Sequence, residues 1–417
     1  MRAVWLDRVL QIVVLLGLAA LFFGFARVAP EDLKGYLAAG HAVLSRTDIY
    51  EGTPAGVNTW PPFFSLLCVP LALLDRLSDP LLRYAWAGLN LAALLLALAL
   101  VSRAVYGMGL ARGAESPKSS WGFVRMFVPL LLTMPYIDSN VEHQQVSILI
   151  FVMVLAGLLL EENGNAAFGG IAVGAAIAMK IMPALFLLYW SYRSRWRAAI
   201  YGVLAAVGFS LSPILVFGPA QFRHDAVMWF SIVRKGWGAG SMNLSLFAML
   251  DRIFGHRFVP FLAPGIEHLD FSGNPIVRVA WIGSMAAIGI VCLFSFRGRE
   301  EPGSWAIRAE WSVIFILSAL AGPVMWRHYL VVTLLGNALL WGVWLSQALS
   351  NRARRGILAA LILCFVMSLP VLPDSLGKPL IHRLEMGSIV TDAALLLLGA
   401  LLWFRFRIGD FAKMRDR

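Results

Sequence analysis

Long apolar runs separated by short polar breaks make up most of the chain. Runs near residues 9–28, 82–105, 199–217, 276–296 and 329–349 approach or exceed the roughly 18–20 residues a helix needs to cross hydrocarbon. Inside a bilayer the backbone must satisfy its own polar groups, so runs of this kind become helices. Shorter apolar runs at 122–136, 146–160, 307–324, 357–372 and 387–404 fit between them. The expectation is an all-α polytopic membrane protein with about twelve transmembrane helices.

Two breaks in this pattern carry detail. Residues 29–81 read as the first outer loop, a polar island holding Asp32, Tyr36, Asp48 and Tyr50. Leu33, Tyr36, Leu37, Gly40 and Leu44 recur at helical spacing, which predicts a helix over 32–45 lying along the membrane surface. A second interfacial helix is predicted from Trp60-Pro61-Pro62 to about Leu74, since prolines suit a first turn. The run 166–192 is interrupted by Lys180-Ile-Met-Pro183, and proline cannot continue a helix without losing a hydrogen bond. Two half-spans meeting at an outward break keep Lys180 near water. A second large outer loop is expected over 218–275, with Leu244–Leu250 dipping into the outer surface.

Composition narrows the class. The chain is 59% hydrophobic and only 14% charged, which leaves no stretch for a separate soluble domain, so 1–417 reads as a single integral membrane domain. The net charge of +11 is concentrated in segments that alternate with the outer loops. That is the bias of cytoplasmic loops, so both termini are expected in the cytoplasm and no nucleic-acid partner is implied. Cys68, Cys292 and Cys364 sit in apolar segments without Cys-x-x-Cys spacing, which predicts buried thiols rather than a zinc or disulfide framework. The basic, apolar N-terminal stretch reads as an uncleaved first span.

With this topology, Asp32, Asp138, His143, Gln145, Lys180, Asn243, Arg327 and His328 gather at the outer ends of the spans. Ionisable groups at membrane depth are costly and usually face a protein-lined cavity. Each also has an ordinary role available. Asp32 suits a helix N-terminus, Asp138 would cap span four, Gln145 would bridge two spans and Lys180 would snorkel. Trp326-Arg327-His328 would anchor in the aromatic belt. His382, Arg383 and Glu385 read as a solvated loop, and the run Gly236–Gly240 neither follows a strand nor opens a dinucleotide-binding helix.

The order Asp32…Tyr36…Asp48-Ile-Tyr50, Trp60-Pro61-Pro62, Gln145-Val-Ser-Ile, Ala178-Met-Lys180-Ile-Met-Pro183, Asn243-Leu-Ser245 and Trp326-Arg327-His328-Tyr329 resembles glycosyltransferase family 87. These are GT-C-fold membrane enzymes that include mycobacterial mannosyltransferases. The resemblance implies a polyprenyl-phosphate sugar donor, a lipid-linked or glycan acceptor in the cell envelope, and an active site on the periplasmic side of the inner (plasma) membrane. Asp32 would be the catalytic base, with Lys180, His328 and Arg327 binding the donor phosphate. Tyr36, Trp60, Gln145, Asn243, Asp138 and His143 are the remaining substrate-binding candidates. Gln144 departs from the family, which often has glycine there, and Arg327 precedes a single histidine where some members carry two.

These residue types suit the chemistry. A carboxylate can take the proton of an attacking hydroxyl, and cations can stabilise the departing phosphate without a divalent metal or other cofactor. One base and one displacement predict inversion at the anomeric carbon. The alternative is a secondary transporter or polyprenyl-linked lipid flippase using the same charges. Transporters tend to repeat their broken helices in both halves, and only one interrupted pair is visible here.

Overall fold

The computed structural model describes residues 2–27, 32–50, 58–107, 124–235, 243–255, 275–298, 300–346, 349–369, 383–384 and 386–415. Among the described residues, all regular structure is helical. The run Gly236–Gly240, together with His382 and Glu385, lies outside them. Among the described residues, five helices are long and apolar enough to cross a membrane, or six if one bent pair counts as a span. The chain divides into two compact units, Val9–Leu100 with Asn140–Lys235, and Met1–Arg8 with Val101–Ser139 and Gly236–Arg417.

In the first unit, α1 (Arg2–Phe25) supplies most of its length and α2 (Asp32–Ser45) begins at the expected aspartate. The buried face of α2 comprises Leu33, Gly35, Tyr36, Ala39, Gly40 and Val43, whereas Leu37 and Leu44 stay half-exposed. This stripe is shifted and wider than the sequence period suggested, because α2 packs against protein along two edges. A Cβ at Gly40 would collide with the carbonyl of Cys68, so only glycine allows this approach.

The second short helix is in fact two, α3 (Pro62–Leu67) and α4 (Val69–Leu77), joined at Cys68, each with proline in its first turn. Next come α5 (Asp79–Tyr106) and α7 (Ser147–Glu162), with α6 (Val124–Glu142) between them in sequence. The break at Lys180 falls where expected. α8 (Ala166–Met179) ends there, a short 3₁₀ turn Met182–Ala184 follows, and α9 (Leu185–Tyr192) continues.

Small residues let helices cross closely, as in membrane interiors. A Cβ at Gly170 would lie 2.6 Å from that of Tyr201, and one at Gly174 would lie 2.5 Å from the Gly202 carbonyl. Both contacts join α8 to α10 (Trp196–Leu211). The span expected at 199–217 is corrected here. α10 stops at Leu211, and α11 (Ile214–Lys235) bends away by 81°, with a second kink at Gly218, whose φ of 78° favours glycine. What the sequence suggested as the opening of a loop is helix as far as Lys235.

In the second unit, α6 corrects another expectation. It does not stop at Pro135 but runs on to Glu142, with Pro129 and Pro135 inside it. Membrane helices tolerate proline when neighbours satisfy the carbonyl it frees. Pro129 frees the carbonyl of Arg125, which lies 3.2 Å from the Tyr106 hydroxyl, a donor shared with the Ala338 carbonyl at 3.0 Å. Asp138 therefore lies inside α6 and caps nothing downstream, since the residue preceding α7 is Val146. The segment expected to dip into the outer surface contains a short helix, α12 (Leu246–Leu250). Its Leu246, Phe247 and Leu250 are buried against Val277 and Trp281 of α13 (Pro275–Ser295).

The core of this unit is α14 (Trp305–Leu320), buried along almost its full length. A 3₁₀ helix Arg327–Val332 leads into α15 (Thr333–Ser346), followed by α16 (Asn351–Ser368) and α17 (Ile389–Arg415). Glu310 of α14 is fully buried and accepts from Arg405 of α17 at 2.7 Å, and Glu300 lies 2.9 Å from the same guanidinium. Arg308 is buried too, donating to the Ala104 carbonyl at 2.8 Å with its guanidinium 4.2 Å from the Trp311 ring.

Candidate functional site

In the first unit, local backbone geometry delivers Gln145 to Asp32. At the end of α6 the Gln144 amide bonds to the Val141 carbonyl at 3.1 Å and the Gln145 amide to the Asn140 carbonyl at 2.9 Å. Gln144 has φ of 53°. These two bonds and the left-handed residue make a Schellman turn, a position that glycine usually fills. Asn140 reinforces it by donating from its side chain to the Gln145 carbonyl at 3.2 Å. Trp86 donates to the Gln144 carbonyl at 2.9 Å.

Thus held, the Gln145 carboxamide is used at both ends. Its nitrogen donates to Asp32 Oδ2 and its oxygen accepts from the Tyr36 hydroxyl at 3.0 Å. Asp32 and Tyr36 lie one turn apart on α2, so one amide spans both. Tyr36 is fully buried, edge-on to Trp60, Phe64 and Trp86 with ring centroids 4.6, 5.0 and 5.7 Å away. Asp32 itself stays half-exposed. Lys180, half-buried at the extended residue that ends α8, lies within electrostatic reach of the Asp32 carboxylate. Asp32, Tyr36, Trp60, Gln145 and Lys180 therefore belong to one compact unit. His143, half-buried beside the Schellman turn, lies 3.8 Å from Glu142.

The loop after α2 is braced by its own contacts. Asn58 donates to the Ile49 carbonyl at 2.6 Å, and the Tyr50 hydroxyl donates to the Trp60 carbonyl at 2.6 Å. Burial, with the charges of Asp225 and Asp48 adding to it, pushes the Tyr50 phenol well above its usual range, so it keeps its proton.

In the second unit, Asn243 is a clasp. Its side-chain amide donates to the Pro323 carbonyl at 3.0 Å, and its oxygen accepts from the Met325 and Ser245 amides, each at 3.1 Å. Ser245 caps α12 by accepting from Ala248, and its hydroxyl donates to the Pro323 carbonyl at 3.1 Å. Asn243 therefore positions the chain just before Arg327 and His328. His328 is buried in the 3₁₀ helix with its ring edge-on to Tyr329, and Arg327 is half-buried. Asp138 is half-buried on α6.

Sequence reasoning missed the cluster of Asp48, His224 and Asp225, whose members come from the segment after α2 and from α11, with no shared motif. It also missed the buried charges Arg308, Glu310 and Arg405, which ordinary hydropathy reads as interruptions.

Comparison with known proteins bears on the whole arrangement. Residues 58–323 match glycosyltransferase family 87. A polyprenol-phosphate-mannose-dependent alpha-(1-2)-phosphatidylinositol mannoside mannosyltransferase of Mycobacterium tuberculosis is 25% identical, over 71% of this chain and 71% of that protein. An alpha-(1->3)-arabinofuranosyltransferase of Corynebacterium glutamicum is 24% identical, over 68% of this chain and 62% of the relative. Among solved structures, ArnT from Cupriavidus metallidurans in the apo state is 15% identical with a TM-score of 0.43, covering 95% of this chain and 77% of that one. The match over most of the helical core, with named glycosyltransferases among the relatives, places this chain in glycosyltransferase family 87.

Proposed function

We propose that the protein is an inverting glycosyltransferase that moves a mannose-like hexose or a pentose from a polyprenyl-phosphate carrier to a hydroxyl of a lipid-linked or glycan acceptor. The observation that carries this reading is the pairing of Asp32 with Gln145 in a unit where Lys180 is within electrostatic reach. A carboxylate held in place by an amide donor is an oriented proton acceptor. A nearby ammonium supplies charge for a departing phosphate in a site partly shielded from water. The polyprenol-phosphate-mannose-dependent relative supports a lipid-carried donor, and the arabinofuranosyltransferase leaves the sugar open between hexose and pentose.

In this reading Asp32 takes the acceptor proton, Lys180 steadies the donor phosphate, and Arg327 and His328 add to the phosphate contacts. Tyr36 and Trp60 shape the sugar side, and Gln145, Asp138 and His143 complete it. Asn243 acts by holding the Met325 segment rather than by touching sugar, since its carboxamide already serves Pro323, Met325 and Ser245. The site lies on the outer face of the inner membrane, in a GT-C bundle of about twelve spans with α2 to α4 interfacial. The whole chain forms one integral membrane domain.

The test is turnover of labelled polyprenyl-phosphate mannose by purified protein in nanodiscs. Acceptor-dependent release of polyprenyl phosphate is expected, and Asp32→Asn should lower it by ~10²–10⁴-fold while donor binding persists. Undiminished release in Asp32→Asn would remove the base assignment. Movement of intact carrier lipid without release of its sugar would indicate a flippase instead.

A further inference from the structure

We propose that Asp48, His224 and Asp225 form a site for one divalent cation of the zinc and manganese class, which clips the end of the first outer loop helix to α11. A ligand atom from each of the three lies within 4.8 Å of the other two. His224 Nε2 is 2.7 Å from Asp48 Oδ2, and this contact alone would be an ordinary ion pair. Asp225 changes the balance. It is fully buried, and its Oδ2 has no hydrogen-bond partner among the described residues. A buried carboxylate oxygen without a donor is costly, and a cation shared with the other two ligands would satisfy it.

The surroundings match those of a metal centre. Ligands around a tetrahedral ion bound at about 2.1 Å sit roughly 3.4 Å apart. Binding would therefore open the His224–Asp48 contact slightly and draw Asp225 in. One imidazole with two carboxylates suits zinc or manganese better than calcium, which prefers an all-oxygen shell. Outer groups orient the ligands as metal sites require. Gln221 donates to Asp225 Oδ1 at 2.9 Å, and the Tyr50 amide donates to Asp48 Oδ1 at 2.7 Å. The His224 side chain is 45% exposed, which gives water access to a fourth position.

The placement indicates a structural ion, not a catalytic one. Asp48 follows the far end of α2 from Asp32, and a fourteen-residue helix is about 20 Å long. The same region already joins α11 to the loop. Ile49 and Tyr50 pack against Met228, Trp229 and Ile232, and Trp229 donates to the Thr59 carbonyl at 3.2 Å. The cation would lock this junction and so hold the helix that carries Asp32. The site stands whether or not the glycosyl-transfer reading does, because its readouts are metal retention and thermal stability.

Full-length protein in detergent, stripped with EDTA and dialysed, would be titrated with zinc chloride. Bound metal would be counted by elemental analysis, and melting followed by tryptophan fluorescence. About one equivalent per chain is expected to be retained, and zinc should raise Tm over the stripped protein. His224→Asn, at an exposed ring where folding is not at stake, should lose both effects. Asp225→Asn should lose them as well if it remains monodisperse. The proposal is overturned if stripped and zinc-treated protein melt alike with no retained metal, or if His224→Asn retains as much zinc as the natural chain. Cobalt gives a second readout, since ligand-field absorption must appear in the natural protein and vanish in His224→Asn.

Discussion

Gln145 donates its side-chain amide to Asp32, a residue 113 positions earlier in the chain, while accepting from Tyr36 on the same helix. The amide can face only one way, because its oxygen must meet the tyrosine hydroxyl and its nitrogen the carboxylate.

Gln145→Glu would set a second carboxylate against Asp32. Like charges at hydrogen-bond distance raise the proton affinity of the pair. The acid limb of the pH–rate profile should therefore move upward by about one unit, with most activity regained at higher pH. A uniform loss at every pH would place Gln145 in a purely architectural role. Steady-state release of polyprenyl phosphate across pH 5–9 reads the difference.

Lys180→Gln keeps length and hydrogen bonding but deletes the charge. If the ammonium meets the departing phosphate, kcat should fall by roughly 10²–10³-fold, the scale for losing one preorganised donor. A change confined to KM would assign Lys180 to binding alone.

How far such residues were legible depended on what fixed them. Lys180 and the start of α2 at Asp32 were visible because proline and a helix-start carboxylate act locally. The link between Asp32 and Gln145 was not derivable from spacing, since a turn three residues long aims Gln145 and its partner lies in another helix. The extent of α6 was misread at Pro135 because the compensation for an internal proline comes from elsewhere, as when Tyr106 serves the Arg125 carbonyl. Gln144 was recognisable as a departure from the family, and its φ of 53° gives the reason glycine is favoured there.

That position yields a stability prediction. Gln144→Val forces a β-branched residue into the left-handed region and should lower stability by about 1–2 kcal/mol. Gln144→Gly should fold at least as well as the natural chain. Thermal melts of the two variants in one detergent compare them directly.

Glu310 and Arg405 form a buried pair, 0% and 5% exposed at the side chain. Glu310→Ala leaves a buried guanidinium with only Glu300 and the Arg297 carbonyl as partners among the described residues and should cost about 3–5 kcal/mol, whereas Glu310→Leu combined with Arg405→Met should recover most of the loss. Chemical or thermal unfolding of the single and double variants tests the asymmetry.

Gly174→Leu should separate α8 from α10, with a cost of about 1–3 kcal/mol or more because the obstructing atom is the backbone oxygen of Gly202. Reduced yield of monodisperse protein and a lower Tm are the expected signs.

The burial of Cys68, Cys292 and Cys364, at 1, 6 and 7% exposure, makes the natural chain a nearly silent background for thiol chemistry. Single reporters such as Ser45→Cys and Ser194→Cys can be introduced without first removing the native sulfurs. An impermeant maleimide added to intact cells should then mark Ser45→Cys alone, and the orientation of the whole bundle would follow from two gel lanes.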